Sequence, residues 1–276
     1  MDAREALEVN AIFHDHECAY YDERFAIAHD GRSARRARAE VERLLGRPLR
    51  VREVVLDVGC GTGWLAAGLR GAAPWATVIG VDLSAGMVGR ARAAGAWPLL
   101  RGDAQRLPVA TASVDVVTCR GVLHHLPDVP AALAEWRRVL RPGGAVVLCS
   151  EPTPAVDRHG AVLVRGLLGV LRRPLTPEED FWEVASMAAN LHTFTPAELA
   201  AHAAATGYAA SRLATAGFAG TLLLTASYVT HGRRPGLARR LPWRRAEAAA
   251  RTADALVFDR VVPPRLRHTV TGVLYR

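Results

Sequence analysis

The chain has 276 residues, half of them hydrophobic (50%), which is enough to bury one sizeable core and fits one elaborated domain better than two. Its formal charge is +8, and all 35 of its basic residues are arginine, with no lysine. The four cysteines (Cys18, Cys60, Cys119 and Cys149) are far apart and form no C-x-x-C pair, which argues against a disulfide scaffold or a zinc ribbon.

Residues 1–48 read as helical and carry the run Phe13-His14-Asp15-His16-Glu17-Cys18-Ala19-Tyr20-Tyr21-Asp22, with Tyr20 and Phe25 able to staple it to a core. No apolar stretch follows Met1–Glu5 as in a secretion signal, so a soluble, cytoplasmic protein is expected. Residues 51–58 (VREVVLDV) are apolar and β-branched, the pattern of a buried parallel strand, and a helix begins at Trp64. Between them lies Gly59-Cys60-Gly61-Thr62-Gly63. A strand, a glycine turn and a helix N-terminus form the ligand-binding corner of a doubly wound sheet, where glycine allows positive φ and close backbone approach. A dinucleotide fingerprint fails from Gly59, whose sixth place is Trp64, although the frame from Gly61 reaches Ala66. Asp57 weighs further against a pyrophosphate, because a carboxylate beneath the loop suits a cationic ligand.

Further along, a second strand (Val78 to Leu83) presents Asp82, about 25 residues after Asp57, as an acceptor for ribose hydroxyls. Gly102-Asp103-Ala104 follows a short apolar run. Val114–Cys119 reads as the fourth strand, Leu123-His124-His125-Leu126-Pro127-Asp128 as its loop, and Leu140–Gly144 as a turn into a fifth strand, Ala145–Cys149. This alternation implies parallel pairing with right-handed crossovers. Beyond it come a helical stretch over 161–171, which Arg165 interrupts and which is too short to span a bilayer, and a helix start at Pro174–Glu179. Then follow Phe194–Leu199 with Gly207-Tyr208, helices over 221–229 and 246–257, and a closing strand, Thr269–Tyr275. The arginine-rich segments 32–52 and 233–245 read first as solvated surface, and only then as binders of nucleic acid, acidic lipid or an anionic substrate.

Val55-Leu56-Asp57-Val58-Gly59-Cys60-Gly61-Thr62-Gly63 resembles the first motif (E/D-x-G-x-G-x-G) of class I S-adenosylmethionine-dependent methyltransferases, and the four later landmarks follow in that family's order. The resemblance covers residues 51–150 firmly and the Phe194 and Gly207 motifs loosely. It points to methyltransferase type 11 and quinone-methyltransferase-like members, to which the Tyr21-Asp22 pair is also similar. It implies an α/β, Rossmann-like, seven-stranded sheet, mostly parallel with an antiparallel last strand. It further implies one domain over 1–276, with a helical lid (1–48), a cofactor core (51–150) and substrate-cap insertions (153–193 and 217–268). By the same resemblance, Asp57 supports the loop and the methionine ammonium of S-adenosylmethionine, and Gly59, Cys60, Gly61 and Gly63 form its bed. Asp82 takes the ribose, Asp103 the adenine edge, Leu83 and Ala104 line the adenine slot, and Tyr21 contacts the cofactor from the lid. Asp57 as a turn cap and Asp103 as an Asx-turn residue are the structural alternatives.

Methyl transfer by direct in-line displacement needs chiefly positioning and exclusion of water, with a general base only where the acceptor must lose a proton. His125 and then His124 are the candidate catalytic residues, ahead of His192, His14 and His16, while His159, His202, His231 and His268 read as surface or packing. No spacing makes a metal site, since His14-x-His16-Glu17 is too local. The apolar cap favours a small or lipid-like acceptor, and with the lysine-free composition it suggests natural-product (secondary) metabolism. The alternatives are an RNA or protein methyltransferase using the arginine segments and a cofactor-binding protein without catalysis.

Overall fold

The computed structural model describes residues 2–95, 97–171 and 189–276, so the expected helix start at Pro174–Glu179 lies outside the described residues. Three helices come first: α1 (Ala3–Glu17), α2 (Tyr21–Arg24) and α3 (Gly31–Leu45). The core then alternates β1 (Val54–Val58), α4 (Trp64–Ala72), β2 (Thr77–Asp82), α5 (Ala85–Ala94), β3 (Leu99–Arg101), β4 (Val114–Arg120), α6 (Val129–Val139) and β5 (Leu140–Pro152). The C-terminal part contains α7 (Pro154–Leu171), α8 (Pro196–Ala205), β6 (Ala210–Ala216), α9 (Ala219–Arg233), α10 (Pro235–Ala238), α11 (Trp243–Ala253) and β7 (Thr269–Tyr275).

The sheet order is β3-β2-β1-β4-β5-β7-β6, and β7 runs antiparallel to both β5 and β6 while the other pairs are parallel. Both faces of the central strands are apolar, and neighbouring residues feed opposite layers. Leu56, Val117, Val146 and Leu274 pack with Leu133 and Trp136 of α6 and Leu199 of α8. Val55, Val116, Val147 and Val273 pack with Val41 of α3 and Leu65 and Leu69 of α4. Burying a sheet on both faces is what a parallel core requires. The strand order reverses between β1 and β4, which opens a crevice at their carboxyl ends.

Three boundaries differ from those read in the sequence. β1 starts at Val54 rather than residue 51, because the Glu53 carboxylate accepts from Arg50 N at 2.7 Å and folds residues 50–53 into a turn that leaves Val51 exposed. The expected turn at Leu140–Gly144 is absorbed into β5, whose register with β4 shifts between the pairs Val114–Leu140 and Val116–Ala145. Within the expected 1–48 lid, α3 is a layer helix: Ala37, Val41, Leu44 and Leu45 form an apolar stripe buried beside α4, leaving α1 and α2 at the crevice.

Candidate active site

The loop after β1 makes three consecutive left-handed glycines do different work. Gly59, Gly61 and Gly63 have φ of 64°, 53° and 85°. A Cβ on Gly59 would strike the Val122 side chain and one on Gly63 would strike Trp97, whereas nothing lies within 4 Å of the same position on Gly61. Gly59 and Gly63 therefore let neighbouring parts of the protein close on the loop, and Gly61 leaves room above it. Cys60 faces inward: its thiol is buried against Gly80 and its N–H donates to Val81 O at 3.0 Å.

The acids beneath and beside the loop are held by it. Asp57 is 2% exposed, and its Oδ1 accepts from Thr118 Oγ1 at 2.8 Å while Oδ2 has no hydrogen-bond partner among the described residues. Burial pushes its carboxyl up to about 7, against the lowering effect of the Thr118 hydroxyl. Asp82 accepts from Gly61 N at 2.8 Å and Ser84 N at 2.9 Å. Burial raises its carboxyl above the ordinary range, and these two amides oppose the rise. Asp103 forms an Asx turn by accepting from Gln105 N at 2.8 Å, and it also lines the cleft.

α1 and α2 lie across this crevice. Leu7, Asn10, Ala11 and His14 all line it, a stripe at i, i+3, i+4 and i+7 along α1. The helix is tied down at Asp15, whose carboxylate accepts from Ser84 Oγ and from Gly86 N at 2.8 Å, at the start of α5. A second tie joins Thr62 Oγ1, donating at 2.7 Å, to Asp22 Oδ1. Tyr21 lines the cleft and burial raises its hydroxyl's pKa, whereas Tyr20 is exposed.

The far wall is the loop after β4, organised by Glu151. This fully buried carboxylate accepts from Val122 N at 2.9 Å, Leu123 N at 3.1 Å and His124 Nδ1 at 3.0 Å. Burial alone would raise its pKa, but His124 and the amides outweigh burial and hold it below the ordinary value. His124 is thereby committed to the loop and does not line the cleft, which His125 does. His125 Nδ1 lies 2.7 Å from Ala189 O, and because a carbonyl only accepts, Nδ1 carries the hydrogen and Nε2 the lone pair. Burial, aided by repulsion from His124 and His14, keeps this ring's pKa well below 6.5, so it is neutral. The His14 and His125 rings meet edge-on with centroids 5.0 Å apart.

The cleft is open on one side and encloses about 700 Å³ including the solvent at its mouth. Of the residues singled out in the sequence, Gly59, Gly61, Asp82, Leu83, Asp103, Ala104, Tyr21 and His125 meet there, while Asp57, Cys60, Gly63 and His124 stand behind them. His16 is not in its wall, and His192 Nε2 instead donates to Leu126 O at 3.0 Å. His159 and His268 pair with each other at 2.7 Å, with His268 fully buried. Arg120 was not expected: it lines the cleft at the end of β4, with its guanidinium over Trp64 at 4.9 Å and paired to Glu40 at 2.7 Å. A lone arginine after a strand gives no sequence signal, but the α1 stripe through Asn10 and His14 is visible as helical spacing. An unpartnered buried carboxylate oxygen, an uncrowded glycine and an acid at the tip of β2 fit a ligand that combines an ammonium, a sulfonium and a ribose.

Residues 56–148 match the family model of a methyltransferase domain. Over 136 residues the chain is 43% identical to a demethylmenaquinone methyltransferase of Deinococcus radiodurans, which covers 48% of this chain and 54% of that one. Over 105 residues it is 42% identical to a malonyl-[acyl-carrier protein] O-methyltransferase of Xylella fastidiosa, covering 37% and 35%. The chain thus spans about half the length, or less, of these curated relatives. Among solved structures, a phosphoethanolamine N-methyltransferase 2 of Haemonchus contortus in complex with S-adenosyl-L-methionine superposes with a TM-score of 0.54 at 17% identity, over 87% of this chain and 52% of that one. An S-adenosylmethionine-dependent methyltransferase of Thermotoga maritima superposes with a TM-score of 0.53 at 20% identity, over 76% and 86%. The matched residues run from β1 through the glycine loop to β5, so this part of the chain is similar to S-adenosylmethionine-dependent methyltransferases, and its fold is that of the superposed structures.

Proposed function

We propose that this protein transfers a methyl group to a small organic acceptor held between the β4 loop and the lid. The observation that carries this reading is the cleft itself, in which the glycine loop, Asp82 and Asp103 share one space with His125 and the apolar side of α1. S-adenosylmethionine, when bound, would supply a sulfonium-activated methyl group, whose bond to sulfur breaks as an oxygen, nitrogen or carbon of the acceptor bonds to it in line, with S-adenosylhomocysteine as the leaving group.

The chain's own part is to bind, orient and exclude water. Asp57 places negative charge under the loop, where the cofactor's ammonium sits in this family's reading of the motif. Asp82 and Asp103 mark out the ribose and adenine positions, with Leu83, Ala104 and Tyr21 around them. His125 offers Nε2 as a hydrogen-bond acceptor, which orients a hydroxyl or amine. An imidazole held well below 6.5 is a weak base, so it takes a proton only as the acceptor atom gains positive charge in the transition state. His124 acts through Glu151 as a positioning residue. The lid and the helical cap support a compact, largely apolar acceptor and motivate a place in natural-product metabolism.

Incubation with methyl-labelled S-adenosylmethionine and a fractionated cell extract tests the proposal. Label is expected in the solvent-extractable, low-molecular-mass fraction. Label confined to RNA or protein, or S-adenosylhomocysteine binding no better than NAD, overturns it.

A further inference from the structure

The segment Arg233-Arg234-Pro235-Gly236-Leu237-Ala238-Arg239-Arg240-Leu241-Pro242-Trp243-Arg244-Arg245 has no part in the cleft, yet its charge is one-sided. No acidic residue occurs between Glu198 and Glu247. The segment forms a corner: α10 turns at Arg239–Pro242 into α11, and the Trp243 indole N–H donates to Ala238 O at 3.0 Å, closing the bend. Ala238 and Trp243 point into the corner, which pushes the rest outward. Arg239, Arg240, Arg244 and Arg245 are exposed, and between them Leu237 and Leu241 are 47% and 40% exposed. Aliphatic side chains set among arginines gain nothing in water. They match a lipid surface, where the guanidinium groups meet phosphate headgroups and the leucines enter the acyl boundary.

The corner stands beside the lid. Arg239 pairs with Glu23 of α2 at 3.7 Å, and Ser227 Oγ of the preceding helix donates to Arg24 O at 2.9 Å. Tyr21, the first residue of α2, is in the cleft wall. A surface held by the corner would therefore lie beside α2.

We propose that residues 233–245 dock this protein on an anionic phospholipid bilayer. A nucleic acid fits less well, because single-strand binding uses exposed stacking aromatics, and the segment's one aromatic ring is turned into the bend. The proposal concerns attachment, not turnover, so it stands or falls separately from the methyl-transfer reading.

The experiment is cosedimentation of the full chain with vesicles of equal parts phosphatidylglycerol and phosphatidylcholine, set against pure phosphatidylcholine. Binding is expected to the anionic vesicles only and to weaken with added salt. The Arg240→Gln/Arg244→Gln/Arg245→Gln variant should bind at least about tenfold more weakly, and Leu237→Ser/Leu241→Ser should also lose affinity. Calorimetry with S-adenosylhomocysteine should give unchanged affinity for both variants, showing that they are folded. Absence of binding to the anionic vesicles, or binding untouched by both variants, overturns the proposal. So does a leucine variant that binds normally while duplex DNA displaces the protein, because the segment would then be a general polyanion binder.

Discussion

The cofactor core from β1 to β5 and the helical cap built by α7, α9 and α11 follow opposite rules. In the core, strand residues alternate between two dry layers, the Asp82 and Glu151 carboxylates accept from backbone amides, and Gly59 and Gly63 stand where neighbours leave no room for a side chain. In the cap, Val162, Val170, Leu256, Val257 and Val261 are exposed, and α11 passes into a π-helical turn at Asp254–Phe258. The family model's match ends inside β5, at residue 148. A dry two-layer core leaves few residue choices at each position, while an exposed helical surface leaves many. Core substitutions should therefore move stability and cofactor affinity, and cap substitutions neither.

The largest effect is expected at Gly59→Ala. It places a Cβ at φ 64° and into Val122, combining left-handed strain with overpacking, for a loss of about 2–5 kcal/mol of stability in urea unfolding. Next, if His125 faces the acceptor as proposed, His125→Ala should slow turnover about 100-fold while leaving S-adenosylhomocysteine affinity unchanged; an equal loss of cofactor affinity would assign it to the core instead. Asp82→Ala should weaken S-adenosylhomocysteine binding by about 1–3 kcal/mol in calorimetry, and unchanged affinity would sink the ribose assignment.

Asp57 gives a pH signature. Its carboxyl is at about 7 when folded against 3.8 as the reference value, so across that window the folded chain keeps a proton that the unfolded chain has released. Its contribution to stability is full below the lower value and disappears as pH rises through the upper one. Cofactor-free protein should accordingly lose stability over this interval, and Asp57→Asn should abolish that part of the slope. The smallest effect is expected in the cap, where Leu256→Ser at an exposed position should change stability by no more than about 0.5 kcal/mol and leave cofactor affinity alone.

The sheet was legible because burial on both faces leaves a mark that needs no partner to be read, as in Val54–Val58 and Val114–Arg120. The acids around the loop are legible for a similar reason: Asp57 and Asp82 stand near the ends of β1 and β2, each two residues from a glycine. Glu151 was not, although it holds the whole β4 loop, because its partners are backbone amides about 30 residues earlier and nothing local distinguishes it from a surface glutamate. Arg120 and the Asp15–Ser84 tie were hidden in the same way, since periodicity records which side chains are buried but not which polar groups meet. His124 and His125 looked equivalent as neighbours, and only the fold separates the one anchored to Glu151 from the one in the cleft.

The tie at Asp15 bears on how the cleft opens. Its carboxylate accepts from the Gly86 amide in the first turn of α5 and from the hydroxyl of Ser84, which caps that helix, so lifting α1 strips an anion from a helix N-terminus and breaks two hydrogen bonds there, each worth about 1 kcal/mol. Opening the cleft under α1 would therefore have to break this tie together with those that Asn10 makes to His125 O and Ala189 O, so Asp15→Ala is expected to loosen α1, read as faster amide hydrogen exchange along it.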